Sequence, residues 1–317
     1  MSKVDLHNYL KVNHSDEGVL TLIEDQYHDN FGYQWSRFSK LQLDSYNGSK
    51  ESENRLINQS EMSQEDFKGK VVLEIGAGNG RFTEILLKFG AQVVSVDFSS
   101  AIYSNYENHK QYAQEGDLLC IRGNLFDLPI EQSSFDIVLC YGVIQHTGNN
   151  KLALETLSSY VKDGGLILVD IYSNNIKHYN PWIYLIRPIF SRLVRTNEKR
   201  MKFVERFVDF MFPIQVKLLS FLKNKKGAFK FLRYFINRSP NSVYGINLYL
   251  NGNISLDDAK DWSICDTNDA WTPQHDDPVS FSQWKKLIIA INNQYNFSTV
   301  VIKDCGQGNC AVMKSNS

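Results

Sequence analysis

The apolar positions of this chain fall into short continuous runs that are separated by amphipathic stretches. Such runs predict strands that are buried on both faces of a sheet, and apolar residues spaced three or four apart predict the helices between them. The runs lie at residues 71–75, 92–96, 118–122, 135–140 and 166–171. Because predicted strands and helices alternate, we expect a mostly parallel α/β sheet with helices on both faces.

The pattern changes after residue 172. Residues 181–235 form amphipathic blocks rich in aromatic and basic side chains, which predict helices separated by Pro188, Pro213 and Gly227. Residues 280–294 predict another helix, and residues 297–302 and 310–313 predict a β-hairpin. We therefore expect a doubly wound sheet that is interrupted by a helical insertion and completed by the last strands of the chain.

A glycine-rich turn follows the first predicted strand. It contains Gly76, Gly78 and Gly80, and the second predicted strand ends on Asp97. A right-handed β-α-β crossover places this turn and this acid side by side, where sheets of this kind bind nucleosides. A dinucleotide site needs G-x-G-x-x-G, and Arg81 breaks that spacing, so the pattern disfavours NAD. The alternative is a tight turn and an ordinary helix N-cap.

The stretch EIGAGNG at residues 74–80 resembles the E-x-G-x-G-x-G signature of the class I S-adenosyl-L-methionine (SAM) dependent methyltransferases. Residues 123–129 and 135–146 resemble later blocks of that family, so the resemblance spans residues 70–172. It implies a Rossmann-like sheet with an antiparallel last strand, SAM as cofactor and S-adenosyl-L-homocysteine (SAH) as product. The core residues that it implies for cofactor binding are Glu74, Gly76, Ala77, Gly78, Asp97, Phe98, Ser99, Asn124, Leu125, Cys140, Tyr141 and Gln145.

Two further blocks resemble a bacterial subset of the family that is associated with surface-polysaccharide or natural-product biosynthesis. The FGYQW stretch at residues 31–35 resembles the F-G-x-Q-W block of that subset, which implies that Trp35 and Arg37 lie near the cofactor. Packing of this arm against the sheet would leave the same pattern. Residues 261–278 resemble a D-T-x-D-x-x-x-P-x-Y segment that faces the acceptor, with Gln274 and His275 where an aromatic is usual.

Candidate catalytic residues follow from these blocks. We expect His146 to lie close to the transferred methyl group, or else to cap the next helix. Asp266, Asp269 and His275 are candidates for binding or deprotonating a hydroxyl, and their alternative is a role in turns. The predicted catalytic set is His146, Asp170, Asp266 and His275.

Composition narrows the class of protein. Neither an apolar leader nor a run of about 18 uncharged apolar residues occurs, so we expect a globular, cytoplasmic protein of one large or two modest domains. The five cysteines form no C-x-x-C pair, and the seven histidines show no ligand-like spacing. No metal site is therefore predicted.

The net charge of −1 is unevenly distributed, because one segment of the chain is strongly basic. Residues 174–240 carry fifteen Lys and Arg against three acids, which favours an anionic partner. The diphosphate of a nucleotide-linked or lipid-linked precursor meets this need, and a basic amphipathic block can also rest on a membrane surface. Contact with RNA phosphates, a protein interface, or cations that only solvate an outer face are the alternatives.

We expect four segments in the chain. Residues 1–66 form an arm over the cofactor pocket, residues 67–172 the SAM-binding core, residues 173–255 a basic helical lid over the acceptor, and residues 256–317 an acceptor loop and the end of the sheet. The predicted function is methyl transfer from SAM to a small-molecule acceptor, a sugar above all. An RNA methyltransferase and a non-catalytic SAM-binding subunit are the alternatives. No DNA partner is predicted, and the oligomeric state stays open.

Overall fold

The computed structural model describes residues 3–12, 18–23, 30–175, 180–194, 196–227, 229–272, 276–306 and 308–316. The chain folds as two compact units. Unit 1 comprises residues 1–27, 51–179 and 274–317, and unit 2 comprises residues 28–50 and 180–273. The boundaries of these units differ from those of the four segments that the sequence predicts. The roles of the four segments stay predictions.

Eight strands in the described part of the chain form one sheet in unit 1. They are β1 (Val19–Thr21), β2 (Val71–Ile75), β3 (Gln92–Asp97), β4 (Leu118–Arg122), β5 (Phe135–Cys140), β6 (Val161–Tyr172), β7 (Phe297–Asp304) and β8 (Gly308–Ser315). The strand order is β1-β4-β3-β2-β5-β6-β8-β7, and the pairs are parallel except those that β8 makes with β6 and β7. The predicted doubly wound sheet with an antiparallel last strand is confirmed.

Helices belong to both units. Those of unit 1 are α3 (Glu51–Ser60), α4 (Gln64–Phe67), α5 (Arg81–Lys88), α6 (Ala101–Asn108), α7 (Lys110–Gln114), α8 (Asn150–Tyr160) and α14 (Phe281–Tyr295). Those of unit 2 are α1 (Asn30–Arg37), α2 (Asp44–Asn47), α9 (Pro181–Leu193), α10 (Asn197–Leu222), α11 (Phe229–Ile236), α12 (Tyr244–Leu250) and α13 (Leu256–Trp271). Short 3₁₀ turns cover Leu6–Tyr9, Leu125–Asp127 and Ile144–His146.

The two faces of the sheet carry separate apolar clusters because successive side chains of a strand point to opposite faces. Val71 and Leu73 of β2 pack in the cluster that contains side chains of α8 and α14. Val72 packs in the other cluster, with Leu56 of α3 and Ile85 of α5. Glu74 shares the face of Val72, so a carboxyl enters the second apolar layer next to α5.

The insertion is helical as predicted, but two of its predicted breaks are wrong. Pro188 lies inside α9, and Pro213 lies inside α10. A proline within a helix removes a hydrogen bond and costs roughly 3 kcal/mol. In α10 the buried side chains continue on both sides of Pro213, as Val208 and Leu219 show, and this packing outweighs the local cost. The predicted break at Gly227 lies between α10 and α11, as expected.

The predicted acceptor loop is mostly a helix. Residues 261–271 belong to α13, whose first turn is capped by the side chain of Ser255, which accepts from the N–H of Asp258. Acidic and amide residues favour turns through local hydrogen bonds, but burial of neighbouring apolar side chains can override this preference. Here eight residues of α13 are buried, among them Trp262 and Trp271, and their burial selects the helix.

Strand β1 was missed although residues 19–23 (VLTLI) form a short apolar run that could have indicated it. It pairs with β4 at the edge of the sheet, where Val19 is in register with Cys120. The predicted arm is thus split, since residues 1–27 belong to unit 1 and residues 28–50 to unit 2.

Within the described ranges, no helix is long and apolar enough to cross a membrane. The same ranges contain no group of three His, Cys, Asp or Glu side chains that could hold a metal ion. All five cysteines are free thiols, and Cys305 is the exposed one.

Candidate functional site

The loop that follows β2 depends on glycine for two reasons. Gly76 and Gly78 have φ values of +77° and +56°, a region that is strained for residues with a side chain. A Cβ atom on Gly76 would also lie 2.1 Å from Cγ2 of Val143. The N–H groups of Gly76 and Ala77 donate to the Val96 carbonyl at 2.8 and 3.1 Å, so the loop is tied to the end of β3.

Asp97 ends β3 and holds the other side of this loop. Its Oδ2 accepts from the N–H of Gly78 at 2.7 Å, and its Oδ1 accepts from the N–H of Ser99 at 2.8 Å. A carboxylate offers about four acceptor positions, enough for backbone donors together with ribose hydroxyls. These acceptor positions at this edge of the sheet fit the ribose hydroxyls of SAM.

Glu74 lies beneath the loop rather than in it. The residue is 2% exposed, and its Oε2 accepts from the hydroxyls of Thr83 at 2.5 Å and Ser95 at 2.8 Å. Burial raises the pKa of Glu74 to about 7, although the hydrogen bonds from Thr83 and Ser95 act in the opposite direction. Glu74 therefore joins the start of α5 to β2 and β3, and its predicted contact with SAM stays a prediction.

The polar network continues into α6. Asn105 Nδ2 donates to Thr83 Oγ1 at 2.9 Å, and Nδ1 of His109 lies 2.8 Å from Asn105 Oδ1. Burial lowers the pKa of His109 to about 4. A Cβ atom on Gly80 would lie 2.3 Å from Asn105 Oδ1, so the network also packs against the third glycine.

The loops after β3 and β4 use their polar side chains as local caps. Ser99 Oγ accepts from the N–H of Ala101, and Asn124 Oδ1 accepts from the N–H of Phe126 at 3.1 Å. Asn124 thereby begins the turn Leu125–Asp127, in which Leu125 is buried. Phe98 is 43% exposed.

The end of β5 is buried. Cys140 has no exposed surface, and burial raises the pKa of its thiol. Tyr141 packs edge-on against Phe82, with ring centroids 5.5 Å apart, and burial raises the pKa of its hydroxyl as well. Gln145 is fully buried, and its Oε1 accepts from the N–H of Tyr172 at 3.3 Å. All three side chains are thus buried in unit 1.

Asp170 and Arg55 form an ion pair at the end of β6. Oδ2 of Asp170 lies 2.6 Å from Nη2 of Arg55, and Oδ1 accepts from the N–H of Gly142 at 2.5 Å. Asp170 is 2% exposed. The predicted catalytic acid is therefore already held by a cation and a backbone donor.

Arg55 is a site residue that sequence reasoning missed. Its guanidinium lies 5.5 Å from the ring centroid of Phe82 and 5.9 Å from that of Tyr141, within cation–π range. It stands on α3, before the glycine loop, in a polar stretch without any motif. Only the packing of α3 against α5 shows that this cation faces the ends of β5 and β6.

His146 lies in the same unit, in the turn Ile144–His146. Its ring packs edge-on against the ring of Tyr172, with centroids 5.7 Å apart, and it is partly exposed. The structure thus brings His146, Asp170 and the β5 loop together in unit 1.

The remaining predicted residues belong to unit 2 or lie outside the described residues. Trp35 is buried in unit 2, and Arg37 forms an ion pair with Glu205 at 2.6 Å. Asp266 accepts from the Ser242 hydroxyl at 3.0 Å. Burial, and then the neighbouring Asp266, raises the pKa of Asp269 to about 7. The roles predicted for these residues stay predictions.

Gln274 and His275 lie outside the described residues.

Comparison with known proteins identifies the part of unit 1 that contains the loop. Residues 73–169 match the family model described as "Methyltransferase domain". This stretch is a methyltransferase domain. It runs from β2 to β6, carries the glycine loop, Asp97 and Asn124, and is of the class I, SAM-dependent type. The identification agrees with the order of its strands and with the resemblance of its glycine loop.

Curated relatives match less than half of the chain. The ubiquinone biosynthesis O-methyltransferase of Coxiella burnetii is 28% identical over 141 residues, which cover 44% of this chain and 58% of that protein. The phosphoethanolamine N-methyltransferase of Triticum aestivum is 29% identical over 103 residues, which cover 32% of this chain and 20% of that protein. The match thus spans little more than half of the first of these relatives.

Solved structures extend over more of the chain at lower identity. The magnesium protoporphyrin IX methyltransferase of Synechocystis, with bound SAH, is 10% identical with a TM-score of 0.42, and the match covers 90% of this chain and 84% of that one. A putative SAM-dependent methyltransferase of Methanococcus maripaludis is 13% identical with a TM-score of 0.46, and the match covers 93% and 97%.

Proposed function

We propose that the protein transfers the methyl group of SAM to a small-molecule acceptor. The observation that carries this proposal is Asp97, which two backbone N–H groups hold beside the glycine loop within the methyltransferase domain. In the proposal Asp97 binds the ribose, the loop of Gly76 and Gly78 accommodates the methionine part, and Asn124 and Leu125 border the adenine.

The cofactor supplies a methyl carbon that the sulfonium already activates. The protein then has to align the acceptor, exclude water and take up one proton. Two of the predicted catalytic residues are described in unit 1: Asp170 is buried and paired with the cation of Arg55, whereas His146 is partly exposed. We therefore assign proton uptake to His146 and the positioning of the Gly142 loop to Asp170.

We propose an anionic acceptor, with a sugar on a nucleotide-linked or lipid-linked diphosphate as the first candidate. The excess of twelve positive charges in residues 174–240 supports the negative charge. The resemblance of residues 31–35 and 261–278 to methyltransferases of polysaccharide biosynthesis supports the sugar. The curated relatives are named for ubiquinone biosynthesis and phosphoethanolamine, so acceptors of both kinds belong in the screen.

The first experiment tests the cofactor site. Calorimetry should show that Asp97→Ala weakens SAH binding by roughly 10-fold to 100-fold, because charge-assisted hydrogen bonds contribute about 1.5–3 kcal/mol. Asp163→Ala, at an exposed acid of β6, is the matched control and should bind as the wild type does. Equal SAH affinity in the two variants would contradict the assignment.

The second experiment identifies the acceptor. The protein is incubated with labelled SAM and, in turn, nucleotide sugars, lipid-linked sugars, phenols, phosphoethanolamine and RNA, and products heavier by one methylene are sought by mass spectrometry. His146→Ala should lower turnover while SAH binding stays within about twofold. SAH binding without any methylated product across the panel would favour a SAM-binding subunit without catalysis.

A further inference from the structure

Helix α10 carries apolar side chains on two opposite sides. One side is buried in unit 2 and contains Met201, Val204, Val208, Leu219 and Leu222. The other side contains Phe210, Ile214, Leu218 and Phe221, which are 68%, 45%, 40% and 60% exposed. At about 100° per residue these four side chains fall within roughly 80° of one another, so they form a single stripe.

Helix α11 extends this stripe. None of its eight residues is buried, although six of them are aromatic or aliphatic. Phe231 is 68% exposed and Phe235 is 54% exposed, and the ring of Phe229 packs edge-on against that of Phe221 with centroids 6.2 Å apart. We define the apolar face of unit 2 as eight exposed side chains of these two helices, namely Phe210, Ile214, Leu218, Phe221, Phe229, Phe231, Leu232 and Phe235.

A contiguous group of eight exposed, large apolar side chains on the surface of a domain marks a binding surface. An isolated helix of eight residues is marginal in water, and burial of an apolar side normally stabilises it. In α11 the described contacts bury no side chain. A partner that covers these side chains would therefore supply the stabilisation that the rest of the chain does not.

The charges around the face indicate which partner it binds. Residues 210–256 contain seven Lys and Arg and no Asp or Glu. The cations are Lys217, Lys223, Lys225, Lys226, Lys230, Arg233 and Arg238. Two of them lie over aromatic rings, Lys225 over Phe221 at 5.1 Å and Arg238 over Tyr234 at 3.5 Å. Apolar side chains and cations are therefore interleaved over the same surface.

We propose that the apolar face of unit 2 binds the surface of an anionic phospholipid bilayer. Phe, Leu and Ile side chains of a helix enter the boundary between headgroups and acyl chains, and Lys and Arg at the same level bind the lipid phosphates. A second copy of this chain would bring the same seven cations against one another, which disfavours a dimer through this face. The proposal concerns unit 2 alone and does not depend on which acceptor the protein methylates.

The experiment is flotation of the full chain with phosphatidylcholine vesicles that contain or lack phosphatidylglycerol. We expect the wild type to float with the anionic vesicles at low salt and to be released at high salt. Phe210→Ser/Phe231→Ser should weaken binding by at least about tenfold, since each removes a large apolar group from the bilayer. Lys225→Gln/Lys230→Gln/Arg233→Gln should weaken it by at least about tenfold, because each cation near an anionic surface attracts it.

Two controls separate lipid binding from folding. Ile289→Ser/Val300→Ser removes side chains of unit 1 that are 56% and 58% exposed, and it should float as the wild type does. SAH binding by every variant should stay unchanged, because the substitutions are outside the methyltransferase domain.

Three results would overturn the proposal. The first is that the wild type floats with neither kind of vesicle. The second is that neither high salt nor the triple Gln variant reduces flotation, and the third is that the double Ser variant of Phe210 and Phe231, called the Phe variant, floats as the wild type does. Sedimentation velocity adds a fourth test. A wild-type dimer that the Phe variant dissociates would show that a second copy covers this face instead.

Discussion

The Gly76→Ala substitution separates two reasons for glycine in the loop after β2. The first is the backbone, since φ is +77° there, and a side chain in this region costs about 1 kcal/mol. The second is space, since the added Cβ would lie 2.1 Å from Cγ2 of Val143. Relieving such a contact moves the loop or the valine, at a further cost of about 1–3 kcal/mol. We therefore expect a total loss of about 2–4 kcal/mol.

Gly116→Ala is the matched control. Gly116 has φ of +79°, nearly the value of Gly76, but no atom lies within 4 Å of the position that its Cβ would take. It should therefore lose only the backbone part, about 1 kcal/mol. The difference between the two variants measures the steric part alone.

Thermal unfolding followed by circular dichroism, with and without SAH, measures both parts. For domains of this size 1 kcal/mol corresponds to about 2–4 °C, so Tm should fall by about 2–4 °C in Gly116→Ala and by about 4–16 °C in Gly76→Ala. Gly76→Ala should also weaken SAH binding, whereas Gly116→Ala should not. Adding Val143→Ala to Gly76→Ala removes the clashing atom and should recover part of the loss. Equal Tm values for the two glycine variants would refute the steric argument.

Three further predictions concern buried titratable side chains of unit 1. Burial raises the pKa of Glu74 from 4.5 to about 7, so the wild type loses stability as the pH rises through that interval. Thermal unfolding should show Glu74→Gln gaining on the wild type from low to high pH, by roughly 1.4 kcal/mol for each unit of the raised pKa, and parallel curves would contradict this. Burial lowers the pKa of His109 from 6.5 to about 4, so stability is lost as the pH falls through this interval, and the loss should be smaller in His109→Gln. Arg55→Gln leaves the buried Asp170 carboxylate without its cation and should lower the unfolding free energy by roughly 3 kcal/mol. Asp170→Asn in the same chain should restore most of that loss, and urea unfolding that shows no restoration would disprove the coupling.

The sequence by itself determined seven of the eight described strands of the sheet, because the signals for them are local. Short apolar runs, the helical spacing after residue 80 and the glycines of the loop report on backbone choices that each segment makes within a few residues. The neighbouring position of β2 and β3 followed from the right-handed crossover rule, and the antiparallel last strand followed from the resemblance to class I methyltransferases. Asp97 could be placed at the loop on the same grounds.

Tertiary structure decided which side chains meet across the chain. Arg55 faces Asp170 across 115 positions, and no spacing rule connects them. Because of burial, residues of the predicted acceptor loop form α13, and α10 continues past Pro213. The Glu74 carboxyl is buried beneath the glycine loop for the same reason. Local propensity is worth tenths of a kcal/mol for most residues and about 3 kcal/mol for a proline inside a helix, whereas burying one Trp or Leu side chain is worth about 1.5–3 kcal/mol. A helix that buries several such side chains therefore forms even where local propensity opposes it.

The same limit applies to α10. Its sequence shows that apolar residues occur on two sides of the helix, but their spacing does not show which side is buried. Only the packed unit shows that Met201 and Leu219 are covered while Phe210 and Phe221 face outward. The reason is physical: hydrophobic burial is non-directional and depends on which surfaces the rest of the chain brings into contact.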